Sequence, residues 1–282
     1  MKLPSLSLLA TLTLLGACSD SAPHIDIPDV STLPPATNGP GTTVAEAGTF
    51  VSRTITVDGF AYPYQVFIPK AYNSSLKWPV VLYIHGSNEQ GTDGQKMMTT
   101  GFALVVKAQQ QTWNTIAVFP QIPRKEGYDR APLIAISMGA LDWATRTYST
   151  DPSRIYLTGT SSGGALGFEL AYQFPERFAA FAPMAGIVCD KCILGDTTAA
   201  VTMGASHALV AQKLKALPVW MFQGGADEHH PPSSSRLSAT NYAAAGWTNF
   251  KYTELPGESH SGAWTKAYAM PEFYTWLFAQ HR

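Results

Sequence analysis

The amino-acid sequence predicts an α/β fold: a mostly parallel central sheet with helices on both faces and an antiparallel hairpin at its N-terminal end. Apolar runs of strand length, such as WPVVLYI and PVWMF, alternate along the chain with helix-compatible segments. Continuous apolar runs of this kind are typical of parallel strands that are buried on both faces. Two alternating segments meet at Asp58-Gly59, a dipeptide that favours a tight hairpin turn.

The individual elements follow from this pattern in chain order. After the two hairpin segments, six further runs predict strands, and the segments between them that fit a helical period predict helices. The predicted strands are FVSRTITV, YPYQVFIP, WPVVLYIHG, TIAVFP, RIYLTG, FAAFAP, PVWMFQG and FKYTELPG, and the predicted helices cover 95–110, 133–147, 165–174, 234–245 and 271–281.

Length and composition are those of one folded domain. The chain has 282 residues, of which 45% are hydrophobic, which is enough for one large core. Only 14% of the residues are charged and the net charge is -1, so the sequence argues against a nucleic-acid partner. We divide the chain into a signal segment over 1–17, a flexible linker over 18–48 and a folded domain over 49–282.

The N-terminus carries the features of an export signal. Lys2 precedes an apolar stretch over 8–15 that is too short to span a bilayer. The stretch ends in LLGAC, which resembles the lipobox of bacterial lipoprotein signals, so we expect Cys18 to be lipidated. Ordinary secretory cleavage near Ala17 is the alternative. Both interpretations predict export, either as a lipoprotein of the bacterial cell envelope, in the periplasm or on the outer surface, whose only membrane contact is the lipid, or as a secreted protein.

The other two cysteines are interpreted in that exported context. If Cys18 is acylated, Cys189 and Cys192 remain as a pair. A single CxxC is too little for a zinc site, and its late position in the chain disfavours a thioredoxin-like role. We therefore expect a small structural disulfide between these two residues and no bound metal.

The stretch IYLTGTSSGGA contains the first candidate for chemistry. Its GTSSG fits the pattern G-x-S-x-G, and it lies between a predicted strand and a predicted helix. In that context the glycines permit a sharp turn that exposes the serine hydroxyl, which makes Ser161 the candidate nucleophile. A plain Ser/Gly loop is one alternative. Ser162 is another, although no glycine stands two residues before it.

A serine hydroxyl needs a base, and the base needs an orienting acid, in the chain order Ser, Asp or Glu, then His on this type of sheet. Asp227 and Glu228 follow the strand PVWMFQG, and His260 follows the strand FKYTELPG. Position after the strand leaves Asp227 and its neighbour Glu228 both open as the acid. We predict His260 as the base, although His229 and His230 compete for that role on sequence alone.

An oxyanion hole is the third requirement of this chemistry. The segment LYIHGSNEQG ends an earlier strand and leads into a loop. We expect the backbone N–H groups of Ser87 in that loop and of Ser162, directly after the nucleophile, to bind the oxyanion. His85 is predicted to brace the loop and not to act as a base.

Four segments carry a family resemblance. WPVVLYIHGSNEQGTDG, DPSRIYLTGTSSGGALGFELAYQFPERFAAFAPMAG, LPVWMFQGGADEHHPPSSSR and YTELPGESHSGAWTKAYAMPEFYTWL resemble secreted carboxylesterases of the α/β-hydrolase superfamily. The most similar group includes feruloyl esterases, polyhydroxybutyrate depolymerases and phospholipase/carboxylesterase or dienelactone-hydrolase-like enzymes. The resemblance runs from about Phe50 to the C-terminus and implies Ser161 as nucleophile, Asp227 as acid and His260 as base.

Two features of the sequence depart from that family. Ser162 and Gln223 stand where the family usually has Met and His, and we expect neither change to touch an atom of the three catalytic side chains. The segment over 186–209 is longer and more irregular than a short crossover. We interpret it as a cap over the site, stiffened by the Cys189 and Cys192 pair, or equally as a surface loop without substrate contact.

The sequence therefore predicts that the domain over 49–282 is a serine carboxylic-ester hydrolase that works through an acyl-enzyme intermediate. The expected substrates are small or polymeric esters, namely aryl or feruloyl, short acyl or polyester compounds, and no cofactor is required. The alternatives are a serine peptidase with the same three residues and a non-catalytic cell-surface binding protein on a hydrolase scaffold. The sequence assigns no oligomeric state.

Overall fold

The structure, a computed structural model, describes residues 45–124, 130–195 and 204–282, so the predicted signal segment, Cys18 and nearly all of the linker lie outside the described residues. The strands are β1 (Phe50–Val57), β2 (Phe60–Phe67), β3 (Trp78–Ile84), β4 (Ile116–Pro120), β5 (Thr150–Thr160), β6 (Ala180–Met184), β7 (Val219–Gly224) and β8 (Phe250–Leu255). They form one sheet in the order β1-β2-β4-β3-β5-β6-β7-β8.

The first two strands form the predicted antiparallel hairpin at one edge of the sheet. Val57 pairs with Phe60, and β2 then pairs antiparallel with β4. Asp58 and Gly59 both have positive φ angles, 49° and 80°, which is the backbone that a tight hairpin turn requires. The remaining strands, from β4 to β8, pair in parallel.

Helices cover both faces of the sheet. They are α1 (Gly101–Ala108), α2 (Ala131–Thr147), α3 (Ser162–Gln173), α4 (Asp190–Leu194), α5 (His207–Leu214), α6 (Pro232–Ala244), α7 (His260–Ala267) and α8 (Pro271–Phe278). Buried side chains of α2, α3, α5 and α6 belong to one core cluster, and those of α1, α7 and α8 belong to the other.

Strand β3 shows why the continuous apolar runs are strands of the sheet interior. All of its residues are buried. Val80 and Leu82 face one core cluster, whereas Val81 and Tyr83 face the other, because successive side chains of a strand point to opposite faces. A strand with helices on both sides therefore needs apolar residues at every position.

The helices differ from the prediction in three places. A helix over 95–110 is wrong in its first part, because Lys96–Met98 forms a separate 3-10 turn and Gly101 starts α1 with φ +55°, which interrupts any continuous helix. Helix α4 lies within the segment over 186–209, which the sequence predicts as irregular, and α5 begins at the end of that segment and extends beyond it. Helix α7 was not predicted, because its apolar face is weak and its first residue is the candidate base. No described helix combines the length and apolar character needed to cross a membrane.

Candidate active site

Ser161 lies at the turn between β5 and α3, at the carboxyl end of the parallel strands. Its backbone has φ 54° and ψ -122°, a conformation that residues with a side chain rarely adopt. Two hydrogen bonds hold it there: its N–H donates to the Met184 carbonyl over 2.8 Å, and its carbonyl accepts from the Ala165 N–H over 3.1 Å. At this strained turn the hydroxyl lies between the end of β5 and the start of α3 and borders a cavity.

The glycines around Ser161 make this turn sterically feasible. A Cβ atom on Gly163 would lie 2.2 Å from the Ile84 carbonyl oxygen and 2.4 Å from that of His85. A Cβ atom on Gly159 would lie 2.6 Å from the Gly163 carbonyl oxygen. The turn is thus packed directly against the end of β3, and only residues without a side chain fit at these two positions.

His260 lies at the first residue of α7 and faces Ser161. Its Nε2 atom is 2.8 Å from the Ser161 Oγ atom, and the ring is largely buried. Ser259 caps the helix by accepting a hydrogen bond from the Gly262 N–H over 3.1 Å, which fixes where α7 begins. The cap therefore sets the position from which the imidazole reaches the serine.

Asp227 holds the other side of the imidazole. Its Oδ2 atom lies 2.7 Å from His260 Nδ1, and its Oδ1 atom accepts the backbone N–H groups of His229 and His230 over 2.9 and 2.8 Å. Burial raises the pKa of Asp227, but the His230 N–H, the His260 ring and the His229 N–H together outweigh it and leave the pKa below its usual value. An ionised carboxylate accepts only, so Nδ1 of His260 carries the proton and Nε2 is free to accept from the Ser161 hydroxyl.

The competing residues of the acid loop are placed differently. Glu228 is exposed, and its carboxylate accepts the backbone N–H of His260 over 3.2 Å. His229 and His230 stack edge-on against the His260 ring, at 5.0 and 4.9 Å between ring centroids. Nδ1 of His230 is 2.7 Å from the Ala185 carbonyl oxygen and donates to it.

His85 braces the loop after β3. Its Nε2 atom accepts the Ile122 N–H over 2.8 Å, so its Nδ1 atom carries the proton and donates to the Gly86 carbonyl over 2.7 Å. Burial lowers the pKa of His85 to about 4, despite the opposing effect of the Gly86 carbonyl. The ring is therefore neutral and fully occupied, and it is positioned to hold the loop and not to take a proton.

A cavity of about 210 Å³ opens beside Ser161. A Cβ atom on Gly86 would lie only 3.5 Å from the Ser161 Cβ atom, so the loop that carries Ser87 borders the serine directly. Ser162 is the first residue of α3, where a helical N–H has no partner within the helix. The lining residues are Gly86, Ser87, Asn88, Glu89, Ser161, His229, His230, His260 and Trp264.

Gln223 is a residue of the site whose contact the sequence analysis missed. The expectation that it touches no atom of the three side chains is wrong, because its Nε2 atom lies 2.6 Å from Asp227 Oδ2. The side chain is completely buried at the end of β7. A glutamine that ends an otherwise apolar strand, four residues before a candidate acid, was the available signal, since a buried amide needs polar partners.

Cys189 and Cys192 form a disulfide at the start of α4. Their sulfur atoms and a carboxylate oxygen of Glu169 lie within 4.8 Å of one another, the arrangement closest to a metal site among the described residues. Because the two sulfur atoms are bonded to each other, they are not thiolate ligands. Of the segment over 186–209, residues 196–203 lie outside the described residues, and none of its described residues lines the cavity beside Ser161.

The chain is similar in sequence to known esterases. The profile of the Esterase family matches residues 59–276, which is most of the folded domain. A segment of 47 residues is 43% identical to acetylxylan esterase A from Emericella nidulans and covers 17% of this chain and 16% of that relative. The chain therefore matches about one sixth of the length of this curated relative.

Solved structures share the architecture. A thermostable esterase is 27% identical, with a TM-score of 0.64, over 83% of this chain and 63% of its own. A ferulic acid esterase, 17% identical with a TM-score of 0.60, matches over 82% and 98% of the two chains. Acetyl xylan esterase from Aspergillus awamori, 14% identical with a TM-score of 0.59, matches over 80% and 99%. These likenesses confirm the predicted α/β-hydrolase fold.

Proposed function

This chain belongs to the Esterase family, and from that premise we propose that it is a serine carboxylic-ester hydrolase. The observation that carries the proposal is the continuous hydrogen-bonded chain from Ser161 Oγ through His260 to Asp227, with distances of 2.8 and 2.7 Å. These are the distances that proton transfer from a serine nucleophile requires.

The proposed reaction has two halves. Ser161 Oγ attacks the ester carbonyl while His260 Nε2 takes the hydroxyl proton, and Asp227 stabilises the resulting imidazolium. The N–H groups of Ser87 and Ser162 bind the oxyanion of the tetrahedral intermediate. The C–O bond to the alcohol then breaks, and His260 returns the proton to the leaving oxygen. Water, activated by His260, releases the acid from the acyl-enzyme in the same way.

The substrate proposal follows from the size of the cavity. At about 210 Å³ it is smaller than a typical pocket for a whole drug-sized ligand, so only part of a larger ester fits inside it. We propose that this part is the acyl group and that most of a larger alcohol stays outside. A cavity of this size suits short acyl or feruloyl esters of sugars and polymers as well as simple esters. The matched relatives named acetylxylan esterase and ferulic acid esterase support the same classes.

We also propose that the protein acts outside the cytoplasm, with Cys18 as the lipidated residue and the stretch over 19–48 as a tether. The support is the sequence pattern LLGAC and the Ser-, Pro- and Gly-rich composition that follows it. If flexible, about 30 residues of this composition reach roughly 30 Å, which places the domain well clear of a membrane surface.

The test is an ester panel on the purified full chain: p-nitrophenyl esters of graded acyl length, a feruloyl ester, acetylated xylan, a polyhydroxyalkanoate film and a peptide amide. Ser161→Ala is expected to lose up to about 10⁶-fold in kcat on every ester that the unchanged protein hydrolyses. Ser162→Ala, which keeps its backbone N–H, should stay within about tenfold. The reverse ranking would move the nucleophile to Ser162, and hydrolysis of the amide alone would identify a peptidase.

A further inference from the structure

The buried amide of Gln223 lies at the centre of a polar network behind the proposed catalytic acid. Its Nε2 atom is 2.6 Å from Asp227 Oδ2 and 3.1 Å from the His230 carbonyl oxygen. The Ser235 hydroxyl, on α6, donates to Gln223 Oε1 over 2.8 Å. Both Gln223 and Ser235 have no solvent exposure. Every polar group of the amide therefore has a partner within the protein.

The partners of Gln223 permit only one orientation of its amide. The carboxylate of Asp227 and the carbonyl of His230 accept hydrogen bonds and cannot donate, so both require the NH₂ side. The rotated amide would place Oε1 against two oxygen acceptors and would lose both of those hydrogen bonds. Asp227 and His230 thus select the orientation in which Gln223 donates to Asp227, and the Ser235 hydroxyl holds Oε1 in that orientation.

We propose that Gln223 is a positioning residue for the proposed hydrolase reaction, and that Ser235 acts through it by fixing the amide. The oxygen that Gln223 contacts is Oδ2, which also accepts from His260 Nδ1 over 2.7 Å. Oδ1 is held separately by two backbone N–H groups. The Gln223 N–H is therefore the contact that fixes how Oδ2 faces the imidazole. This inference rests on the proposed function.

The same N–H also moderates the charge that the imidazole meets. A donor on Oδ2 withdraws negative charge from the oxygen that stabilises the protonated ring. Without the hydrogen bond from Gln223, Oδ2 stabilises the protonated ring of His260 more strongly. A higher pH is then needed before Nε2 can accept the serine proton. Among the described residues, the other titratable groups around the pair are Glu228, His229 and His230 on the acid loop, Glu89 in the cavity, and Glu258 with its partner Lys266 at α7. The variants below leave all of them in place.

The test is the pH profile of ester hydrolysis by the full chain. Gln223→Met has a similar volume and no donor, and it should lower kcat about tenfold, as expected for a lost hydrogen bond to a charged group. KM should change little, and the acidic limb of the kcat/KM profile should move to higher pH. Ser235→Ala should shift the limb in the same direction by less, and Gln223→His, which restores an N–H donor, should move it back.

Gln65→Met is the matched control. Gln65 is also a buried glutamine whose amide is hydrogen-bonded, to the Gly94 carbonyl over 3.1 Å, but it lies on β2, separated from β7 by four strands. It should lose stability without any movement of the acidic limb. If Gln223→Met does not fold, Ser235→Ala carries the test, because it removes one oxygen atom only.

The outcomes separate this inference from the proposed function. An unchanged protein that hydrolyses no ester and does not react with a fluorophosphonate would overturn the proposed function and this inference with it. An active protein in which Gln223→Met or Ser235→Ala leaves the acidic limb where it was would overturn the inference alone. A movement of the limb in Gln65→Met as large as in Gln223→Met would also overturn it, since the shift would then reflect general loosening.

Discussion

At the scale of single residues, backbone strain marks the site. Three described residues other than glycine have a positive φ angle, and one of them, Asp58, serves the hairpin turn. The other two are Ser161 and Ala185, at the ends of the neighbouring strands β5 and β6. Such conformations cost of order 1–3 kcal/mol each and persist only where the surroundings impose them. Here they are imposed where Ser161 meets His260 and where the Ala185 carbonyl accepts from His230.

Asp227 and Glu228 are adjacent carboxylates with different environments, and the site predicts unequal roles for them. Asp227→Asn should lower kcat about 10³- to 10⁴-fold, because an amide cannot hold the proton-bearing Nδ1 of His260 in the same way. Glu228→Gln should change kcat only a few-fold, because the Glu228 carboxylate contacts the backbone N–H of His260. Steady-state kinetics on one p-nitrophenyl ester measures both, and equal losses would move the acid to Glu228.

At the scale of elements, the junction of β5 and α3 is the most demanding piece of packing near the site. Backbone carbonyl groups from the end of β3 approach Gly163 so closely that no side chain atom fits. The junction therefore requires glycine at positions such as 163, although glycine takes no part in the reaction itself. Its geometry in turn determines where the Ser161 hydroxyl lies relative to α7.

Gly163→Ala tests this dependence, with Gly139→Ala as its control on another helix. The new methyl group at 163 meets backbone oxygen atoms at 2.2 and 2.4 Å, so the turn must shift, and we expect a large loss of kcat together with a lower melting temperature. At 139 the methyl group meets the terminal Cδ1 of Ile55, which can rotate away, so activity should stay near normal. Comparable losses of activity in both variants would contradict this account.

A buried ion pair joins α3 to the start of α2. Glu169 is almost fully buried and pairs with Arg130, whose Nη2 and Nε atoms lie 2.9 and 3.2 Å from its two oxygen atoms. Burial raises the pKa of Glu169 to about 7, and Arg130 offsets only part of that rise. At pH values between the ordinary pKa of a glutamate and about 7, Glu169 thus keeps its proton in the folded protein, whereas the unfolded chain has released it. Stability must fall as the pH rises through that window.

Glu169→Gln should remove this pH dependence. Between pH 5 and pH 8, ionisation of Glu169 should lower the unfolding free energy of the unchanged protein by about 2 kcal/mol. The fall in unfolding free energy over the same range should therefore be about 2 kcal/mol smaller in the variant. Urea denaturation at several pH values measures the difference between the two proteins, so that groups common to both cancel. Parallel curves for the two proteins would show that Glu169 ionises normally.

At the scale of the whole molecule, the parallel sheet brings segments that are distant in sequence together at the carboxyl ends of its strands. Ser161 and His260 are 99 residues apart in sequence, yet each follows a strand of the parallel sheet, and the carboxyl ends of these strands lie on the same side of the molecule. The loops after β7 and β8 are tied directly, since the Ala226 N–H donates to the Glu258 carbonyl over 2.9 Å. The site is thus a property of the sheet and not of any one segment.

The proposed placement of the domain at a membrane depends on a single residue outside the described part of the chain. Cys18→Ala should release the protein from the membrane fraction when the full chain is expressed in a bacterium, because the thiol that carries the lipid is gone. The catalytic domain should stay active in the soluble fraction. Detergent partitioning and the intact mass of the mature chain measure this, and an unmodified N-terminus near Ser19 in the unchanged protein would favour plain secretion.

The sequence by itself determined the order of the strands along the chain, the hairpin and the class of fold. Those features depend on local signals: apolar runs of strand length, the Asp58-Gly59 turn and the glycines around Ser161. The candidate serine, acid and base could be named because parallel strands direct their following loops to one edge. Helix α7 escaped prediction because its position is set by the Ser259 cap and by packing, and not by a strong apolar period.

Only the tertiary structure decided which candidates meet. Position after β7 does not rank Asp227 and Glu228, for which the sequence offers only the family resemblance. In the structure they differ because one carboxylate reaches the His260 ring whereas the other reaches its backbone N–H. The same holds for Gln223, whose contact with Asp227 depends on where the acid loop folds back onto the end of β7. Hydrogen bonds act over about 3 Å, whereas a sequence pattern specifies a side chain only to the nearest strand end or loop, so the partners of each polar group emerge when the chain is packed.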